Sequence, residues 1–426
     1  MTFIPAGRAF QGTFRFGGDK SLSHRLVLLS ILNRGSFKVE NLSRCNDVRT
    51  SLKILRQLGG QVQELADDIF ELSGPAGNYC NSILDCENSG TTARLLCGIL
   101  AGMPGEFRLN GDESLQKRPM RRISLPLSKM GAEFSGDRLP FTIHGKRNLL
   151  PIVYSSPTAS AQVKSAIIFA GCYAHGITTL HEPLPSRDHT ERLLKKLGAP
   201  IEMEPGRVSI KGPWQPEISG NFRVPGDISS AAFVIAAAIL IPGSRVVCQD
   251  VLLNPGRTAF LRCLQAMGAR LDWQIESDDF EPVGQIIAEF SPELKAIDIG
   301  AEMIPALIDE LPVLSAIMAR ASGVSNVSGA EELRVKESDR ISAVCSCLRR
   351  LGIEVGEKED GYSITGQKEF CFEGTVDPGR DHRIAATMLV MALTAKKGFN
   401  ITDLDCIDIS YPEFRDFLSA FADMQA

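Results

Sequence analysis

The stretches FRFGGDKSLSHRLVLLSI (Phe14–Ile31) and FRVPGDISSAAFVIAAAI (Phe222–Ile239) are two readings of one pattern, with starts 208 residues apart (222 − 14) in a chain of 426. Each runs from a short strand through a Gly-Asp turn into an apolar helix. An internal repeat of half the chain decides the fold before any single motif does. A shorter period lies inside it. A glycine after an apolar helix opens a short strand at Gly35, Gly105, Gly176, Gly243, Gly323 and Gly398, with spacings of 70, 71, 67, 80 and 75 residues against 426/6 = 71. A second helix then stops at a Leu-Gly or Met-Gly step (Gly59, Gly131, Gly198, Gly268, Gly352), where glycine is the usual C-terminal signal. Alternating strands follow, as in FELSG, FTIHG, VSIKG and YSITG. The fourth repeat blurs this strand, and the sixth ends without its stop glycine.

Strands alternating with helices predict parallel β-α-β pairing with right-handed crossovers. Stretches such as AAFVIAAAILI and IAATMLVMALTA are apolar on nearly every face, which predicts helices buried all round and sheets facing solvent. The fold class is therefore α/β, built from six strand-helix-strand-helix-strand repeats with one further strand allowed. The two Gly-Asp turns at Gly18 and Gly226 are natural crossing points. They predict one domain at 19–225 and a second from 1–18 joined to 226–426.

Composition narrows the function. Apolar residues make up 44% and charged residues 23%, ordinary for a globular chain, and the net charge of −5 argues against a nucleic-acid backbone as partner. The longest apolar runs, Ala231–Ile241 and Ile384–Leu393, fall short of the roughly 20 residues a membrane span needs. MTFIPAGRAF lacks the pattern of a secretory signal. Eleven cysteines with no CxxC pair read as reduced thiols acting as small hydrophobes, the CxC at Cys345 and Cys347 included. A cytoplasmic monomer with no membrane partner is expected. No GxxxxGK[ST], GxGxxG after a strand, HExxH or GxSxG occurs, so nucleotide cofactors, a metal site and a hydrolase nucleophile are not expected.

The chemistry repeats at one position. The first-helix starts carry Asp19, Lys20, Ser21 and Arg25; Asn88, Ser89, Gly90, Thr91 and Arg94; Ser160, Ala161, Gln162 and Lys164; and Arg380, Asp381, His382 and Arg383. Helix N-termini offer backbone N–H groups to anions, and Lys and Arg add charge-assisted hydrogen bonds. The loops at the second helices add Arg118, Arg121 and Arg122; Arg187; and Arg334, Lys336 and Arg340. A net-acidic chain with such a concentration of cations suits a small, highly anionic ligand. Asp309, in the apolar helical stretch MIPALIDELPVL, and Glu337, between Lys336 and Arg340, are candidate acid and base.

GDKSLSHR, NSGTTARLL, QKRPMRR, SAQVKSAI, SRDHTERLL, VPGDISSAAF, LIDELPVL, RVKESDR and GRDHRIAATM, in this order along nearly the whole chain, resemble the 3-phosphoshikimate 1-carboxyvinyltransferase (EPSP synthase) family. SAQVKSA and SRDHTE are more similar to its second bacterial class. The resemblance implies a two-domain inside-out α/β barrel of six βαβαββ repeats, three per domain, with the active site in the interdomain cleft. It implies transfer of the enolpyruvyl group of phosphoenolpyruvate to the 5-hydroxyl of 3-phosphoshikimate, with release of phosphate and no cofactor. Carried over by motif, Lys20, Ser21, Arg25, Ser160, Ala161, Gln162, Ser186, Arg187, Asp309 and Lys336 would hold 3-phosphoshikimate. Lys20, Gly90, Arg118, Gln162, Arg340 and Arg383 would hold phosphoenolpyruvate. Asp309 would accept the hydroxyl proton with Lys20 nearby, and Glu337 would protonate the methylene carbon. Gly90, where tolerant relatives carry alanine, implies inhibition by glyphosate. The chain departs from the family at Gly17, at Leu95 and at Asp408–Pro412, where a lysine is usual in the first class; Lys396 and Lys397 are the nearby cations. UDP-N-acetylglucosamine enolpyruvyl transferase shares the architecture, but its usual reactive cysteine is missing from GDESLQKRPM. A non-catalytic repeat scaffold would have no use for Lys20, Asp309 and Glu337 at matching positions.

Overall fold

The computed structural model describes residues 2–75, 83–369, 372–411, 413, 414 and 417. The chain divides into two compact units, one of Gly18–Val224 and one of Met1–Gly17 with Pro225–Ala426.

The unit Gly18–Val224 has three four-stranded sheets. In the second, Ile83–Asp85 lies parallel to Gly105–Asn110, which pairs antiparallel with Phe141–Gly145, and that strand in turn pairs antiparallel with Glu133–Phe134. In the third, Val153–Ser155, Gly176–His181, Arg207–Gly212 and Ile201–Glu204 follow the same order. Both are β-α-β crossovers closed by a hairpin. The helices Lys20–Ser30, Gly90–Ala101 and Ala161–Gly171 are buried almost throughout. A strand such as Ser36–Glu40 alternates buried Phe37 and Val39 with more open neighbours, so each sheet turns one face to the helices. Gly98 is required where two of these helices touch: a Cβ there would lie 2.1 Å from the Ala166 carbonyl oxygen.

The other unit repeats the plan around the helices Ile228–Leu240, Leu311–Met318 and His382–Thr394. All of Ile228–Leu240 except Ser230 is buried. Full burial of a side chain such as Phe233 contributes about 1.5–3 kcal/mol, so this helix is held by its surroundings rather than by one amphipathic face. The fourth repeat, blurred in sequence, carries the longest hairpin, Arg270–Asp278 with Pro282–Glu289. The last sheet has three described strands, Thr375–Val376, Phe399–Ile401 and Thr2–Ile4, so a strand from the start of the chain completes the repeat that ends it.

Two features differ from the sequence reading. In the first and fourth repeats the strand before the helix does not pair with the strand after it. Gln11–Phe14 lies parallel to Arg245–Leu252, and Asn221–Arg223 lies parallel to Ser36–Glu40. The strands are exchanged because the chain passes from one unit to the other directly after each of them. The stretch MIPALIDELPVL is not one helix but two, Ile304–Leu307 and Leu311–Met318, with Asp309 in the break. Pro305 and Pro312 each sit in the first turn of their own piece, where a missing N–H costs nothing, and Pro312 cannot continue the piece before it.

The described cysteines are free and buried, and burial pushes thiols such as Cys45 and Cys345 up to about 11. They pack as small apolar side chains.

Candidate functional site

In the unit Gly18–Val224 the polar groups gather at the starts of the first helices. Asp19, Ser89 and Ser160 cap these helices, accepting from the N–H groups of Leu22 (2.8 Å), Thr92 (3.2 Å) and Val163 (3.5 Å). The sequence reading left these N–H groups for an anion. The chain's own caps take one N–H at each helix start, and the side chains beside them add the cations. Lys20, the first helical residue, pairs with Asp47. Arg25 is buried and tied on three sides: Nε donates to Thr190 Oγ1 (2.7 Å), one terminal nitrogen to Ser165 Oγ (3.0 Å) and the other to the Ser21 carbonyl (2.8 Å). Ser21 is thereby joined to Arg25 through its backbone.

A second group surrounds Gly90. Arg94 donates to Gln162 Oε1 (2.8 Å), and Gln162 Nε2 donates to Thr91 Oγ1 (2.9 Å). Arg118 donates to Asn88 Oδ1 (2.8 Å). A Cβ built on Gly90 would lie 2.9 Å from an Arg94 nitrogen and 3.2 Å from an Arg118 nitrogen. Two guanidinium groups thus converge on one point beside a glycine, which is what binding a small anion against backbone requires. Arg94 was visible in the sequence only as one cation among many. Its place beside Gly90 and Gln162 depends on the packing of helices Gly90–Ala101 and Ala161–Gly171. Leu95, one of the departures from the family pattern, is simply buried. Ser160 and Ala161 begin the third helix, and Ser186 and Arg187 lie in the loop after strand Gly176–His181.

In the other unit the candidates form one network. Arg340, 1% exposed, reaches Asp381 through Nε (2.9 Å), Glu337 (2.6 Å) and Asp309 (3.9 Å). Arg383 donates to the Asp309 carbonyl (2.7 Å), and its guanidinium lies 3.6 Å from the Asp309 carboxylate and over the Tyr411 ring at 5.6 Å. The helix break puts Asp309 there: a carboxylate 18% exposed, held between two guanidinium groups. Glu337 is more open, at 29%. Burial pushes the Lys336 ammonium down to about 8, although Asp309 and Glu337 work to hold it up. Burial likewise opposes the charge on Arg383, but Asp309 and Tyr411 more than offset it and raise the group.

Several cations of the sequence reading do not join these groups. Arg121 points outward toward Asp137 (3.8 Å), and Arg334 pairs with Asp339 (2.7 Å) and Glu357 (3.5 Å). Lys164 is buried between two glutamates. Lys396 and Lys397 engage Glu369 and Glu373 in exposed pairs, both at 2.7 Å. Pro412 lies outside the described residues. A Cβ on Gly17 would meet Glu413 Oε1 at 2.6 Å, which accounts for the small residue there. Sequence reasoning missed a buried cluster in which Arg257 contacts Ser229 (2.8 Å), Asp227 (3.3 Å) and Glu310 (3.6 Å). Glu310 is thus spent on structure, whereas its neighbour Asp309 keeps a face open.

Two carboxylates among guanidinium groups, on a repeated α/β fold of buried helices and outer sheets, are the equipment of a transferase for small anionic molecules. The family model described as EPSP synthase (3-phosphoshikimate 1-carboxyvinyltransferase) matches residues 4–418, and the chain belongs to this family. It is 40% identical over 407 residues to the 3-phosphoshikimate 1-carboxyvinyltransferase of Petrotoga mobilis, covering 94% of each chain. It is 40% identical over 423 residues to that of Thermotoga neapolitana, covering 98% of this chain and 99% of the other. The EPSP synthase structure from Acinetobacter baumannii superposes with a TM-score of 0.85 at 35% identity, over 98% of this chain and 97% of that one. The enolpyruvyl transferase NikO from Streptomyces tendae, at 17% identity with a TM-score of 0.79 over 98% and 96% of the two chains, shares the fold.

Proposed function

We propose that this chain transfers the 1-carboxyvinyl group of phosphoenolpyruvate to the 5-hydroxyl of 3-phosphoshikimate and releases inorganic phosphate, as a cytoplasmic monomer acting on small molecules. The observation that carries the reading is the Asp309 carboxylate held between Arg340 and Arg383 with Glu337 on the same arginine. The substrates bring two phosphates and two carboxylates, so cations must outnumber carboxylates wherever they bind. Lys20, Ser21, Arg25, Ser160, Ala161, Gln162, Ser186, Arg187, Asp309 and Lys336 are assigned to 3-phosphoshikimate. Lys20, Gly90, Arg118, Gln162, Arg340 and Arg383 are assigned to phosphoenolpyruvate. Of these, Asp309, Lys336, Arg340 and Arg383 belong to the unit of Met1–Gly17 with Pro225–Ala426, and the others to the unit Gly18–Val224.

In the reaction the hydroxyl oxygen bonds to C2 of phosphoenolpyruvate, Asp309 takes its proton, and Glu337 delivers a proton to C3. Loss of a C3 proton and of phosphate then restores the double bond. To donate, Glu337 must leave Arg340 and take up a proton; arriving anions supply Arg340 with a competing partner. Preorganised cations stabilise the charge that develops. The missing cysteine in GDESLQKRPM weighs against the UDP-N-acetylglucosamine reaction.

Phosphate release in the presence of both substrates tests the reading, with UDP-N-acetylglucosamine replacing 3-phosphoshikimate as the control. Glu337→Gln should bind 3-phosphoshikimate normally, and both it and Asp309→Asn should lose roughly 10²–10⁴-fold in kcat. Near wild-type turnover by Glu337→Gln would remove it as the C3 proton donor.

A further inference from the structure

Behind the loop that carries Ser186 and Arg187 lies a buried trio that the reaction does not use. Lys164 Nζ donates to Glu191 Oε1 (2.8 Å), to Glu182 Oε2 (2.9 Å) and to the Ser186 carbonyl (3.1 Å), which engages all three of its N–H groups. The side chains of Lys164, Glu182 and Glu191 are 5%, 4% and 3% exposed. Glu182 turns its other oxygen to Ser186, accepting from Oγ at 2.5 Å, while Oε2 also accepts from the Ser186 N–H at 3.3 Å. Ser186 is therefore gripped through its N–H, its hydroxyl and its carbonyl by one charged cluster.

We infer that Lys164, Glu182 and Glu191 are positioning residues for 3-phosphoshikimate, fixing the Ser186–Arg187 turn in the geometry that receives it. This rests on the function proposed above for its reading of Ser186 and Arg187. The neighbouring residues of the same two helices support it. Ser165, next to Lys164, and Thr190, next to Glu191, bond to each other (2.6 Å) and both accept from Arg25. One helix pair thus holds Arg25 with one layer of side chains and Ser186 with the next. A stability role explains the trio poorly. Buried ion pairs seldom stabilise more than apolar residues of the same volume, and this one places two carboxylates against a single ammonium. Burial pushes the Glu191 carboxyl up, against the pull of Lys164. What the trio supplies is directed hydrogen bonds, and Lys164 and Glu182 each make at least one to Ser186.

The test is Glu182→Gln, which keeps the volume but cannot accept at both ends. Calorimetry should give a Kd for 3-phosphoshikimate about 10–100-fold weaker than wild type, with kcat at saturation within about threefold. A folded Glu182→Gln with an unchanged Kd would overturn the inference. The triple variant Lys164→Met/Glu182→Gln/Glu191→Gln leaves no uncompensated charge, should fold, and should show the same weakening. Loss of fold in both variants would assign the trio to stability and also overturn it. A wild-type chain that does not bind 3-phosphoshikimate would instead overturn the proposed function, and this inference with it.

Discussion

Lys336 carries an ammonium brought down to about 8 by burial, within reach of ordinary buffers. Its ordinary value is 10.5, so between about 8 and 10.5 the unfolded chain holds the proton more tightly than the folded one. The charged group therefore opposes folding below about 8, and that cost is relieved as pH rises through the window. Substrate binding runs the other way, because only the charged form attracts an anion. We expect kcat/KM for 3-phosphoshikimate to fall as pH rises past about 8, and Lys336→Arg to move that limb beyond the measurable range, since arginine does not titrate there. An unchanged alkaline limb in the variant would detach it from Lys336. Gly90 makes a second prediction at this scale. Its missing methyl would press on the tips of Arg94 and Arg118 at 2.9 and 3.2 Å, both buried and held by hydrogen bonds to Gln162 and Asn88. Gly90→Ala should therefore weaken glyphosate by roughly 5–200-fold, the range that about 1–3 kcal/mol of overpacking allows. Phosphoenolpyruvate, the shorter ligand, should lose less. Equal losses, read from the inhibition constant beside the KM, would show that Gly90 does not discriminate between them.

The stop glycines of the second helices are the element-scale signal that organised the sequence reading, and Gly59, Gly131, Gly198, Gly268 and Gly352 all have positive φ, from 79° to 108°. A Cβ on Gly352 would meet nothing within 4 Å, so Gly352→Ala isolates the backbone cost. It should destabilise by about 1–2 kcal/mol in a urea melt while leaving activity unchanged. A neutral result would mean the helix end can relax. The elements were legible because their stops and apolar faces are local. The pairing of Gln11–Phe14 with Arg245–Leu252 was not, because its partner is chosen by the path of the chain and not by neighbouring residues. The two prolines around Asp309 were a readable warning that MIPALIDELPVL would break. Lys164 and Arg94 looked alike in sequence, as cations at helix starts. Only packing separates them: Glu182 and Glu191 pair with Lys164, while Arg94 lies beside Gly90 and donates to Gln162.

At the scale of the whole molecule, the exchanged strands mean that the polypeptide and the compact units are different divisions of the same chain. Residues from the first half complete a sheet of the second unit, and residues from the second half complete a sheet of the first. The topology is that of a domain-swapped pair of three-repeat chains fused end to end. This sets the terms for splitting the gene. A break between Ser219 and Gly220, both exposed, yields fragments 1–219 and 220–426, and each then carries the edge strand that the other lacks. Neither fragment alone should give a cooperative melt. Mixed, they should complement as an obligate one-to-one pair whose phosphate release depends on fragment concentration and saturates at equal stoichiometry. Two fragments that fold separately would contradict the exchange. An enzyme reassembled this way would become a reporter, with turnover measuring whether its two fragments have been brought together.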